Sequence, residues 1–210
     1  MKFDVDDHLR AAKRSASSLE RDGKLARAVT LVRSYSTKIE DLWDAITNAE
    51  RLPRWFLPIS GKLETGGSYQ LEGNASGIIT RCDPPTHLAF TWEFGGDVSW
   101  VELRLSRDHT GDTRLALTHT ALDSEHWAEF GPGAVGVGWE LAALGLSLYL
   151  AQPTAPKPDE ATFSTSPDGK AFISGSSEGW REAAVASGID PEAARIAADR
   201  TTAFYTGESS

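Results

Sequence analysis

Sulfur and positive charge are both scarce in this 210-residue chain. Cys82 is the only cysteine, so no internal disulfide and no cysteine-based zinc site can form, and a reducing cytoplasm is the expected compartment. Lys and Arg number 21 against 30 Asp and Glu, a net charge of −9. Nucleic acid and anionic membrane surfaces, which demand clustered cations, are therefore not expected partners. The chain opens Met1-Lys2-Phe3-Asp4, without a basic segment and apolar run, and no stretch reaches the roughly 18 uninterrupted apolar residues of a membrane span. It is expected to be neither secreted nor membrane-spanning. Several chemical signatures are missing too. There is no Gly-x-Ser-x-Gly elbow, no phosphate loop between Gly61 and Gly67, and no Gly-x-Gly-x-x-Gly after a strand, so hydrolase and nucleotide machinery have no visible carrier. The five histidines, His8, His87, His109, His119 and His126, form no i, i+4 helical pair, so neither a metal nor another cofactor is expected.

With 40% hydrophobic and 24% charged residues, the composition is that of a globular protein with a substantial core. The pattern divides it into a helical extension over 1–25, an α+β domain over 26–152, a Pro/Ser/Thr linker over 153–170 and a helical tail over 171–210. Val5, Leu9, Ala12, Ala16 and Leu19 recur at helical spacing and predict an amphipathic helix over 4–22. The β-branched run after Arg27 predicts the first strand. A helix then follows, with Ser36 or Thr37 as its cap, Glu40 completing a capping box, and Ile39, Leu42, Trp43 and Ile46 as its buried stripe. Leu52 to Phe56 reads as a short turn delivering two aromatics. Five antiparallel strands are expected at 68–72, 75–82, 87–94, 99–107 and 113–120, separated by Gly, Pro, Asn and Asp turns.

Such a sheet, apolar on one face, needs a cover, and the run from Gly136 to Leu150 supplies a long helix. Glu140 and Ser147 mark its single polar line; opposite lie Gly138, Ala142, Gly145 and Tyr149, a small-residue face suited to close backbone packing or to a ligand. Beyond the linker, 176–187 and 191–205 predict two more helices, the second with Pro191 in its first turn and Asp190 as its cap. They are too small to stand alone and are expected on the outer flank of the long helix or on a second subunit.

Candidate chemistry is sparse. Glu93, Asp97, Glu102 and Glu140 are surface charges unless one faces an apolar cavity, where desolvation would make it an acid or base. A buried Glu140 would need a partner such as an arginine. His119 and His126 have Asp123 and Glu125 as potential companions. Six tryptophans fall in the domain, as core filling or as pocket walls. Trp55, Phe56, Trp92, Trp100, His119, Trp127, Trp139 and Tyr149 are the candidate ligand-lining residues.

The order strand, two helices, meander and long final helix resembles the helix-grip superfamily known as SRPBCC or START-like, which includes the birch pollen allergen. The strings Val32-Arg33-Ser34-Tyr35-Ser36, Asp41-Leu42-Trp43-Asp44-Ala45-Ile46-Thr47, Leu52-Pro53-Arg54-Trp55-Phe56, Gly66-Gly67-Ser68-Tyr69 and the run from Cys82 to Trp92 resemble, more narrowly, the branch homologous to the C-terminal domain of the activator of the heat-shock chaperone ATPase. The resemblance covers Arg27 to Ala151. It implies an α+β fold with a curved antiparallel sheet wrapped around a long helix. The functions it implies are binding of an apolar or amphipathic small molecule between sheet and helix, or a stress-related, co-chaperone-like interaction with a chaperone. Cyclase or hydrolase chemistry is a third possibility, and the tail allows a homodimer. Fold alone selects none of these.

Overall fold

The computed structural model describes residues 4–208. A short helix α1 (Val5–Arg10), capped by the Asp4 carboxylate, precedes two long strands, β1 (Lys13–Arg21) and β2 (Lys24–Tyr35). Helix α2 (Ile39–Thr47) and a 3-10 turn (Leu52–Arg54) follow. The meander comprises β3 (Ile59–Gly61), β4 (Ser68–Leu71), β5 (Ser76–Asp83), β6 (His87–Phe94), β7 (Asp97–Arg107) and β8 (Thr113–Leu122). Helices α3 (Glu125–Phe130), α4 (Gly133–Ala151), α5 (Glu160–Thr165), α6 (Pro167–Ala186) and α7 (Pro191–Thr206) complete the chain. The eight strands form one curved antiparallel sheet in the order β1-β2-β8-β7-β6-β5-β4-β3. The fold is α+β and of the helix-grip type.

Two compact units make up the chain, one from Met1–Leu31, Leu122–Leu141 and Pro158–Ser210, the other from Val32–Ala121 and Ala142–Lys157. In the first, α6 packs on β1 and α1, and α7 packs on α6 and α3. Trp180 and Phe172 of α6 are fully buried, and a Cβ at Gly136 would lie 2.2 Å from the Trp180 ring, so the glycine is what lets that indole seat on α4. In the second unit, the inner sheet face meets the latter half of α4: Tyr35 Oη donates to the Ala143 carbonyl (3.3 Å) and Arg33 Nη2 to Ser147 Oγ (3.0 Å). Ala143, Leu144 and Leu146 are buried. By length and composition alone α4 would suffice to cross a membrane; here Val137, Leu144 and Leu146 are core residues.

Several expectations are corrected. Residues 13–21 are a strand, not helix. Their inward alternation runs through Arg14 and Ala16, and an inward arginine hides a period of two. The Asp22-Gly23 turn, with φ of 53° and 73°, joins β1 to β2 in the left-handed conformation favoured by two-residue hairpins. Helix α2 takes Lys38 as its N-cap without a side-chain bond; Thr37 Oγ1 instead donates to Asp41 Oδ2 (2.6 Å). The proline-rich segment after α4 contains α5, and α6 begins at Pro167 rather than Ser176. The Asp190 cap is as read, its Oδ1 accepting from the Glu192 and Ala193 amides at 3.0 Å each.

Candidate functional site

Residues directly opposite in an antiparallel pair share a face, so the register of β6, β7 and β8 assigns each side chain to a side of the sheet. The pairs Leu88↔Leu103, Phe90↔Val101, Trp92↔Ser99 and Phe94↔Asp97, with Leu105↔Leu115, Leu103↔Leu117 and Val101↔His119, lie on the inner face. At one end of this face Leu88, Leu103, Leu105, Leu115 and Leu117 are buried. Toward the β6–β7 turn the cover gives out: Trp92 and Ser99 are half-buried, and Phe94 is 59% exposed. The inner face is thus filled with buried leucine at one end and is less covered, aromatic and partly polar at the other, where Phe94 is exposed.

Polar chemistry at the open end centres on Ser99 and His119. His119 Nε2 lies 2.7 Å from Ser99 Oγ, and Ser99 Oγ donates to the Trp92 carbonyl (3.1 Å). The Trp92 and His119 rings are 6.0 Å apart. Burial, leaving the imidazole 8% exposed, pushes its pKa down to about 4, because the apolar surroundings penalise the charged ring. At neutral pH His119 is uncharged. Tyr69, edge-on to Phe90 at 5.5 Å, donates to the Thr91 carbonyl (2.7 Å) and is likewise held protonated by burial.

Of the residues singled out in the sequence, Trp92 and His119 come together here. Trp100 does not join them; it stands opposite Thr91 and Thr120 on the outer face. Trp55 and Phe56 stack at 5.5 Å in the turn before β3, where Trp55 Nε1 donates to the Ala45 carbonyl (3.0 Å). A Cβ at Gly145 would lie 2.7 Å from the Trp55 carbonyl oxygen, so this glycine serves close packing rather than a ligand. Gly138 does the same in the other unit, where a Cβ would lie 2.8 Å from Tyr205 Oη. Tyr149 accepts from Arg51 Nε (2.9 Å), and that guanidinium also pairs with Asp41 and Asp44. Trp127, with the Arg27 guanidinium 6.0 Å from its ring centre, and Trp139 belong to the other unit. Asp123 accepts from Arg27 Nε (2.7 Å).

The carboxylates divide sharply. Glu93 and Asp97 are exposed, and the partly exposed Glu102 pairs with the buried His87 and the exposed Arg104. Glu140 is 0% exposed and bound by Arg14, whose Nε donates to Oε2 (2.8 Å) while Nη2 donates to Oε1; Ser176 Oγ adds a third bond at 2.8 Å. Such a saturated carboxylate is a structural ion pair. Among the described residues no group of three or more His, Cys, Asp and Glu is arranged to hold a metal ion.

Sequence reasoning missed Ser99 and Phe94. The period-two run Phe90, Trp92, Phe94 in β6 was the available signal, and Ser99 follows once Trp92 is placed opposite it.

The family model for activator of Hsp90 ATPase homolog 1-like proteins matches residues 36–151, more than half of the chain. The chain belongs to this family. Within it, the matched segment holds the meander, α3 and α4, whereas β1, α6 and α7 lie outside. No curated protein matches the chain. Among solved structures, the crystal structure of CalU16 from Micromonospora echinospora is 30% identical, with a TM-score of 0.66, covering 82% of this chain and 98% of that one. The solution structure of the same protein is 29% identical, with a TM-score of 0.64 and 94% of each chain covered. EF2215 from Enterococcus faecalis, a conserved protein of unknown function, is 14% identical over 98% of this chain and 96% of its own, with a TM-score of 0.57. That likeness concerns the fold alone.

Proposed function

We propose that this family member is a cytoplasmic, non-enzymatic binder of an apolar or amphipathic small molecule, held on the open end of the inner sheet face. The observation that carries this reading is the gradient along that face, from buried leucines to the half-buried Trp92 and the exposed Phe94 beside a Ser–His pair. Uncovered aromatic surface next to a few fixed polar atoms is what small-molecule sites present. Isothermal titration against planar aromatic and lipid-like ligands, with native mass spectrometry of the purified protein, tests it. A one-to-one complex lost on Trp92→Ala is expected; absence of any complex across the panel would remove the reading.

A second reading rests on the family match, whose description refers to an activator of the Hsp90 ATPase. On this reading the chain is a stress-related module that contacts a chaperone. Its test is the ATPase rate of a bacterial Hsp90-type chaperone with increasing amounts of this protein. A saturable rise supports the reading, and an unchanged rate together with no co-elution removes it.

A further inference from the structure

Helix α7 is apolar on two sides, and one of them is exposed. On the inward side Ala194, Ala197, Ala198 and Thr201 are buried. Thr201 Oγ1 donates to the Phe130 carbonyl (3.2 Å) and Tyr205 Oη to the Ala134 carbonyl (2.6 Å), which docks this side on α3 and the start of α4. At about 100° per residue, Ala193, Ile196, Arg200, Ala203 and Phe204 form a second stripe, turned away from the first. Ile196 is 38% and Phe204 63% exposed. A surface helix of a single globular unit needs one apolar stripe, so the second one asks for a cover. Phe204 is held in place without being covered: its ring lies 5.7 Å from Phe130 and 5.2 Å, edge-on, from Tyr205. Ile196 and Ala203, with Ser174 of α6, border a groove of about 490 Å³.

The exposed stripe is matched to itself. Ile196, Arg200 and Phe204 are spaced i, i+4 and i+8, the ridge that interdigitates in the commonest helix crossing, and Arg200 stands at its midpoint. A two-fold contact makes each meeting of residues occur twice, once from each side. With the axis at Arg200, an antiparallel second copy of α7 lays its Phe204 on Ile196 and receives Phe204 on its own Ile196. Asp199, one position before Arg200, comes beside the second copy's Arg200. The two Arg200 and two Asp199 sum to zero charge, so on a chain of net charge −9 this crossing is neutral toward a second copy. Within one chain the same groups are held at the surface: Asp199 pairs with Arg195 at 2.6 Å, both side chains more than half exposed, and Arg200 Nη1 reaches the Glu129 carbonyl at 3.5 Å. Exposed pairs of this kind are rearranged at little cost. We propose that this stripe of α7 is a homodimer interface, in which Phe204 of each copy enters the other's groove beside Ile196 and Asp199 pairs across the axis with Arg200. One helix pair is at the small end of specific interfaces, so the dimer is reversible and accumulates with concentration.

Sedimentation equilibrium of the whole chain, from micromolar to near-millimolar concentration, tests this. The weight-average mass should climb from that of one chain toward that of two. Phe204→Glu should weaken the dimer about 10-fold or more, as loss of a central aromatic anchor does. The charges give the sharper test. Asp199→Arg and Arg200→Asp each set like charges across the axis, so each variant alone should stay monomeric. Mixed in equal amounts, the two variants restore both opposite-charge pairs and should recover the parent's association. A parent that stays monomeric throughout overturns the proposal and leaves the stripe to a partner other than a second copy. A dimer unaffected by Phe204→Glu, or charge variants that self-associate like the parent, overturns it by placing the contact elsewhere. Should Phe204→Glu not fold, the mixture decides alone: no association between the two charge variants, both shown folded by circular dichroism, overturns the antiparallel pairing.

Discussion

Two polar clusters, one in each unit, contrast in their surroundings. In the unit containing α6, Glu140 receives three hydrogen bonds from Arg14 and Ser176, and Arg14 also reaches the Leu9 and Ala12 carbonyls. Both carboxylate oxygens and all three guanidinium nitrogens have protein partners, and the surrounding small residues are shaped to them: a Cβ at Gly179 would lie 2.9 Å from the Arg14 guanidinium. In the other unit the Ser99–His119 contact lies on a half-buried strand segment beside Trp92 and the exposed Phe94. Burial of a titratable group does not by itself mark a site. The saturated cluster holds structure, and the second is the one that adjoins the proposed ligand face.

The largest expected effect separates these roles. Glu140→Gln leaves the Arg14 charge buried without a counter-ion, and breaking one side of a buried pair costs about 3–5 kcal/mol. Urea unfolding should show this loss. Replacing both residues with apolar ones (Arg14→Met with Glu140→Leu) should recover most of it. A cost under about 1 kcal/mol for Glu140→Gln would mean the pair is effectively solvated, and the contrast would collapse.

His119 gives the next effect, through pH. Its folded pKa of about 4 lies below the ordinary histidine value of about 6.5. The folded state therefore prefers the neutral ring, a contribution complete above pH 6.5 and lost as pH falls through 4. The lowered pKa corresponds to about 2–3 kcal/mol across that window. Urea midpoints taken from pH 7 to pH 4 should drop less steeply for His119→Gln than for the parent; parallel curves would show the ring to be hydrated and the inner face more open than described.

How far the sequence disclosed all this follows the same division. The meander was legible because its inward residues are apolar and alternate, as in Val101, Leu103 and Leu105. The long helix was legible because it is apolar on most sides. What stayed hidden was wherever the inward residue is polar and its partner is distant in sequence. Arg14 disguised β1 because Glu140 lies 126 residues away, and the line of Glu140 and Ser147 resembled a solvated edge although both have protein partners. The family resemblance gave the fold class, but not the less covered end of its sheet. That depends on which inner positions the rest of the chain leaves uncovered, a matter of tertiary structure. Trp100 illustrates the limit: in sequence nothing separates it from Trp92, and only the register sends one outward and the other inward.

A helix glycine sharpens the packing half of the contrast. Gly145→Ala would gain about 1 kcal/mol of helix propensity in an open site, yet the added Cβ would meet the Trp55 carbonyl oxygen at 2.7 Å, a backbone atom with little freedom to yield. Overpacking of this kind costs about 1–3 kcal/mol, so thermal or urea unfolding should show a net loss of about 1 kcal/mol. A stabilised variant would mean that the turn carrying Trp55 and Phe56 yields readily, and would reopen the small-residue face of α4 as ligand space.

The smallest effect tests the face assignment itself. Trp92 and Trp100 belong to neighbouring strands and are both half-buried, but the pairs Trp92↔Ser99 and Trp100↔Thr91 put them on opposite sides of the sheet. Each substitution to Phe removes a similar amount of ring surface, so composition and burial predict equal consequences and the register predicts unequal ones. Trp92→Phe should weaken a planar aromatic ligand such as 1-naphthol several-fold, since stacking of one aromatic on another contributes about 0.5–1.5 kcal/mol beyond area. Trp100→Phe should leave the dissociation constant within about twofold. Equal weakening by both, measured in the same titration, would show that the ligand is not confined to the inner face, and the open end would lose its claim to be the site.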